Sequence, residues 1–174
     1  YRQAAAKNDP DALVALGRMG LENKGQISAA ETQTFLSRAA DVGRADAAGM
    51  LGRAMLDSRF GKRDAAGAAK WLKRAADGGD ADSAYALALQ EIDGDGIPAD
   101  LASGIRHLKL AADKGHAAAM ADYGLMLYQG KAGAAPSKSA AADWFAKSAK
   151  GGDAEGQFLY AYALATGEGV ARDP

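Results

Sequence analysis

The only imidazoles in the 174 residues are His107 and His116, which bracket Lys109, Asp113 and Lys114 in the stretch HLKLAADKGHA. Two histidines this close could ligate a metal or move a proton. Either chemistry needs company, and no third ligand recurs beside them, so the pair reads as architecture. His107 is the odder of the two, because it stands where an aromatic ring recurs elsewhere in the chain. A second candidate is DGDGIPAD (residues 93–100), which has the look of a calcium loop. It fails at Ile97, which takes the fifth position, and at Gly104, which takes the twelfth, where oxygen ligands are required. Gly61-Lys62 is followed by Arg63 and Gly130-Lys131 by Ala132, so neither forms a phosphate-binding loop. There is no G-x-S-x-G elbow and no H-E-x-x-H helix. With no cysteine, thiolate catalysis, disulfides and Cys-ligated zinc are excluded. No catalytic, cofactor-binding or metal-ligating residue is assigned.

The totals narrow the class further. Lys and Arg number 21 against 22 Asp and Glu, for a net charge of -1, and no basic block stands out. That argues against nucleic acid as a partner. Apolar residues at 48% and charged residues at 25% describe a folded chain with a core. No uninterrupted apolar run approaches the ~20 residues needed to span a bilayer, so direct membrane insertion is not expected.

What would position any functional side chain is a repeat. AADVG ends at Gly43, AADGG at Gly79, AADKG at Gly115 and SAKGG at Gly152, at intervals of 36, 36 and 37 residues. AAKN ends at Asn8, 35 residues before Gly43. Eight residues after each of these come Leu16-Gly17, Leu51-Gly52, Leu87-Ala88, Tyr123-Gly124 and Tyr160-Ala161. Eight before each glycine stands a ring, Phe35, Trp71, His107 or Trp144, followed by Leu36, Leu72, Leu108 or Phe145. A fixed period of this length marks stacked supersecondary units, none of which can bury its apolar face alone.

Each unit reads as two helices. Ala81 to about Ile92 is dense in Ala and Leu at helical spacing. A Gly-rich turn follows, and Leu101, Ile105, Leu108 and Ala112 then share one face of a second helix ending at Gly115. Asp9, Asp80 and Asp153 are placed to cap first helices; Asp64, Asp100 and Asp173 are placed to cap second ones. Asp9-Pro10 and Asp173-Pro174 add a proline at the first helical position. Small residues at recurring positions let paired helices approach, and the rings fill the space beside them. The chain begins inside one helix and stops as another starts, so both ends look cut from a longer array.

These residues resemble the Sel1-like repeat family, relatives of the tetratricopeptide repeat. Residues 81–116 carry the pattern most fully: Leu87-Ala88, Gly94, Gly96, Ile97, Asp100, Gly104, Ala111-Ala112 and Gly115. Residues 154–173 repeat its first half. Residues 45–80 keep Leu51-Gly52, Asp64, Ala68, Trp71 and Gly79, but their turn, DSRFGKRD, lacks the first two glycines. Residues 10–44 are the weakest copy, without the Asp cap, and in 117–153 GKAGAAPSKS replaces the usual turn. The expected organisation is one array with repeats at about 10–44, 45–80, 81–116 and 117–153 and partial units at 1–9 and 154–174. The expected fold is all-α: antiparallel helix pairs stacked into a right-handed superhelical solenoid.

The resemblance implies a non-enzymatic adaptor that holds a protein or peptide in a concave groove lined by the first helices. The second, fifth, ninth and twelfth positions of each repeat would face it. Among them the candidate partner-binding residues are Arg53, Tyr85, Leu89, Ile92, Leu125, Tyr128, Phe158 and Tyr162, with the more apolar, aromatic half toward the C-terminus. Each ring has a second reading, as packing between neighbouring helices. The family's habits imply a bacterial periplasmic or secreted setting, in signalling or assembly. An alternative is a cell-wall ligand-binding or β-lactamase-like hydrolase role, as cysteine-rich members have been linked with β-lactams; this chain lacks their cysteines and any Ser/Lys or Ser/His constellation. A purely structural spacer is the third.

Overall fold

Runs of Ala and Leu with few β-branched residues favour helix throughout, and the chain forms little else. The computed structural model describes residues 1–131, 133 and 135–173. A short α1 (Arg2–Ala6) precedes pairs formed by α2 (Pro10–Leu21) with α3 (Ala29–Asp41), α4 (Ala45–Leu56) with α5 (Ala65–Asp77), α6 (Ala81–Asp93) with α7 (Leu101–Asp113), and α8 (Ala117–Tyr128) with α9 (Lys138–Lys150). A last first-type helix, α10 (Ala154–Thr166), packs on α9 and α8. The fold is an all-α solenoid of stacked antiparallel helix pairs. The cap read at Asp173-Pro174 falls on Pro174, and part of the 130–139 turn falls on Ala132 and Ala134; all three lie outside the described residues.

Helix starts follow the carboxylates. Asp9, Asp64, Asp80, Asp100 and Asp153 accept backbone N–H bonds from Ala12, Gly67, Ser83, Ser103 and Gly156 at 2.7–3.0 Å. Where the repeat has no aspartate, other residues take the role in α3 and α9, whereas α4 starts at Arg44 without a side-chain cap. Ser28 and Glu31 form a reciprocal capping box on α3, and Ser137 caps α9 from Ala140 N–H at 3.3 Å. The ends are as regular: Asn8, Gly43, Gly79, Gly115 and Gly152 all have positive φ, from 60° to 96°.

Within a pair, the leucine of the second helix sits over the small residue of the first. A Cβ built on Gly52 would lie 2.8 Å from Leu72 Cγ; one on Gly17 would meet Leu36, and one on Gly124 would meet Phe145. Leu36, Leu72 and Leu108 are fully buried in consequence.

The turn after α4, which lacks the first two glycines of the pattern, keeps the glycine conformation at the first of them. Ser58 occupies the repeat position of Gly94 and Gly167, and its φ is +57°, against +73° and +77°. An L side chain there is strained by roughly 1–2 kcal/mol. Ser58 is exposed, and Ser58→Gly should therefore raise stability by about 1 kcal/mol in urea denaturation. A loss of stability would mean that the hydroxyl, not the backbone, holds this turn.

The two helix layers differ in how closely their members approach. First helices come close to one another at α2/α4, α4/α6 and α8/α10, and second helices make no comparable approach. Apart from α6/α8, the first-helix layer is therefore the more closely spaced of the two among the described residues.

Candidate partner-binding groove

The histidines are tied into the architecture. His107 Nδ1 lies 2.6 Å from Glu91 Oε2, and the Ser103 hydroxyl donates to Glu91 Oε1 at 3.0 Å. The two ring partners retain only 16% and 13% side-chain exposure. An imidazole in an aromatic slot has thus acquired a carboxylate where the neighbouring repeats place Met55 and Leu127. His116 occupies the cap position of α8, and its Nδ1 accepts from Ala119 N–H at 3.1 Å. Its ring stacks on Tyr85, with centroids 4.3 Å apart. Among the described residues, no group of three or more His, Asp or Glu side chains is disposed to hold a metal ion.

The eight groove candidates divide by what they touch. Arg53 donates to Asp80 Oδ1 at 3.1 Å and Ser83 Oγ at 3.0 Å, which ties α4 to the start of α6. Tyr85 donates its hydroxyl to Asp122 Oδ2 at 3.0 Å while stacking on His116, so it is wedged between α6 and α8. Gly49 occupies the same repeat position on α4, and a Cβ there would fall 2.6 Å from Ser83 Oγ. Glycine at that register lets α4 and α6 close up; tyrosine holds α6 and α8 further apart. Burial, reinforced by the Asp122 charge, pushes the Tyr85 phenol well above its ordinary pKa. Burial also raises the Asp122 carboxyl, outweighing the Tyr85 hydroxyl, which favours the charged form. Ile92 packs against the α6–α8 core.

The remaining candidates converge on the C-terminal half. Leu125, Tyr128 and Tyr162 line an apolar cleft of about 140 Å3 between α8 and α10, together with Phe145, Leu159, Ala163 and Glu168. Two hydrogen bonds meet at Glu168 on its lining. Tyr128 donates to Glu168 Oε2 at 2.6 Å, and Lys138 Nζ donates to Glu168 Oε1 at 2.8 Å. Those two bonds, Lys138 first, hold the Glu168 carboxyl below its usual range. Tyr162 on the lining is 52% exposed, Phe158 one turn earlier on α10 is 69% exposed, and Leu89 on α6 is 37% exposed.

Reading only the second, fifth, ninth and twelfth positions missed Leu159, Ala163 and Glu168, which supply the sixth, tenth and fifteenth. The signal was present in the repeat. An equivalent cleft of about 260 Å3 lies between α2 and α4, where Leu21, Met50, Arg53, Ala54 and Arg59 take the places of Tyr128, Leu159, Tyr162, Ala163 and Glu168. One cleft thus recurs with two linings, guanidinium-rich toward the N-terminus and aromatic toward the C-terminus.

The chain matches the Sel1 repeat model at residues 45–80, 81–116, 117–153 and 154–174. The fold is similar to a Sel1 repeat protein from Oxalobacter formigenes, at 23% identity and TM-score 0.86, covering 97% of this chain and 70% of that one. It is also similar to c5321, a protective antigen present in uropathogenic Escherichia coli strains and displaying an SLR fold, at 28% identity and TM-score 0.88. That match covers 99% of this chain but 37% of the antigen, so the chain spans little more than a third of its length. A third similar structure is the Helicobacter pylori cysteine rich protein B, at 20% identity and TM-score 0.55, covering 68% of this chain and 90% of that one. At these identities the first and third speak for the fold alone. No curated protein matches the chain in sequence.

Proposed function

The chain belongs to the Sel1 repeat family, and on that footing we propose that it is a non-enzymatic adaptor that holds a peptide segment of a partner protein on its concave first-helix layer. The observation that carries the reading is the open aromatic cleft between α8 and α10, with Tyr162 exposed on its lining and Phe158 exposed one turn earlier on α10. Leu89, Leu125, Phe158 and Tyr162 are the contact residues in this reading. Arg53, Tyr85, Ile92 and Tyr128 shape and stiffen the surface through the internal bonds and packing described above. No helix among the described residues is long and apolar enough to cross a membrane. We place the protein at the bacterial envelope or outside the cell, in signalling or assembly, a setting supported by its bacterial structural relatives, one of them a protective antigen.

The test is selection of a random peptide library on the folded protein, followed by hydrogen-exchange mapping of the strongest binder. Protection confined to α6, α8 and α10, together with loss of binding in a Phe158→Ala/Tyr162→Ala variant of unchanged helicity, is the expected result. Protection on α5, α7 or α9 instead would move the site to the convex face and end this reading.

A further inference from the structure

Charge is segregated between the two helix layers of the C-terminal half. The first helices α6, α8 and α10 carry five carboxylates and no Lys or Arg. The second helices α7 and α9 are net basic, with Arg106, Lys109, Lys138, Lys147 and Lys150 against Asp113 and Asp143. The layer that holds the aromatic cleft is therefore apolar and acidic. Two of its carboxylates lie on the same helices as the cleft walls, nearer the N-terminal ends. Asp122 precedes Leu125 by three residues, about 4.5 Å along α8, and Glu155 precedes Tyr162 by seven, about 10 Å along α10. Glu155 is exposed, and Asp82 on α6 keeps 67% side-chain exposure. Lys138, whose partner Glu168 lines the cleft, is already neutralised by it.

We propose that the cleft between α8 and α10 takes a cationic peptide, in which one bulky apolar side chain is flanked by Lys or Arg. The inference rests on the adaptor reading and specifies its ligand. The apolar side chain enters between Leu125, Leu159 and Tyr162, where the lining is almost wholly carbon. The flanking cations face the carboxylates of Asp82 and Glu155, in the first turns of α6 and α10. An acidic peptide would meet only like charge on this layer. The equivalent cleft between α2 and α4 lacks this character, because Arg53 and Arg59 stand in place of Tyr162 and Glu168.

The experiment is fluorescence anisotropy of the 174-residue chain with three fluorescein-labelled probes. These are Gly-Lys-Lys-Leu-Phe-Leu-Lys-Lys, its twin with Glu for every Lys, and its twin with Ser for Leu and Phe. The first should bind at least about tenfold more tightly than either twin, and weaken as salt is raised. Tyr162→Ala should weaken it about tenfold, and Asp82→Asn/Glu155→Gln about threefold, with the helical signal unchanged. All three positions are solvent-accessible, and the double variant keeps side-chain size, so neither change threatens folding. Equal binding of the Glu twin, still dependent on Tyr162, overturns the cationic requirement and leaves the groove standing. Equal binding of the Ser twin overturns the apolar anchor. Binding indifferent to Tyr162 overturns both this inference and the groove reading. No binding of any probe overturns this inference alone, since the library selection tests the groove independently.

Discussion

Leu72→Ala should destabilise the protein by about 3–5 kcal/mol, the range for emptying a fully buried leucine site that cannot collapse. Leu72 is 0% exposed, and its isobutyl group fills the space that Gly52 leaves open on α4. Alanine would leave that space without a partner on either side, because Gly52 has no side chain to reach across. Relaxation is limited further, because α4 and α5 are held at both ends by packing against α3 and α6. In a stacked array each unit is stabilised by its neighbours, so the damage should spread. Urea denaturation should show a lowered midpoint, and hydrogen exchange should show lost protection in α4 and α5 before α8 and α9. A cost below about 1 kcal/mol would mean that the helices slide together, and that the glycine–leucine register is not the element that sets their spacing.

Gly96→Ala should cost about 2–5 kcal/mol, well above the same change at Gly115. Both glycines have positive φ, +74° and +96°, so the backbone strain of an L side chain is similar at each. They differ in what the new methyl would meet. At Gly115 nothing lies within 4 Å, and the cost should stay near 1–2 kcal/mol. At Gly96 the Cβ would lie 2.4 Å from Ala65 Cβ and 2.9 Å from the backbone at Ala65 and Ala66, where α5 begins. Backbone at a helix start cannot move aside without breaking the cap from Asp64. Gln90 crosses the same junction, donating to Ala65 and Asp95 carbonyls at 3.0 Å. Gly169, one pair of repeats on, presses on Lys138 at the start of α9 in the same way. The second glycine of the turn is therefore an inter-repeat contact. Comparison of the two variants by thermal or urea unfolding separates the terms: equal costs would assign everything to φ and nothing to the junction.

Much of this molecule was legible before any coordinates. A 36-residue period carries its own consistency check, because caps, small residues, rings and terminal glycines recur in phase, with Arg44 and Asn8 among the departures. Helix starts at Asp80 and Asp100 and stops at Gly79 and Gly115 are decided within a few residues of chain by backbone hydrogen bonding and φ sign, so they could be read locally. Where the local signal weakened, the conformation survived by substitution: Ser28 and Glu31 replaced an aspartate, and Ser58 adopted a glycine's dihedral. Both histidines are bonded into the frame, and the carboxylate waiting for His107 was not foreseen.

The groove was less legible, for a physical reason. A repeat position fixes which way a side chain leaves its helix, but not how far the next helix stands from it. Tyr85 and Phe158 share one register, yet Tyr85 is wedged against Asp122 and His116 while Phe158 is 69% exposed. Tyr128 and Tyr162 both line the cleft, yet only Tyr128 has its hydroxyl bonded to Glu168 across a separation of 40 residues. The sequence by itself determined the helices, their pairing, their caps and the repeat that stacks them, because those depend on neighbours within one period. Only the tertiary structure decided which rings are spent holding repeats together and which stay open to solvent, because that depends on contacts between periods, where one glycine or one tyrosine sets the distance.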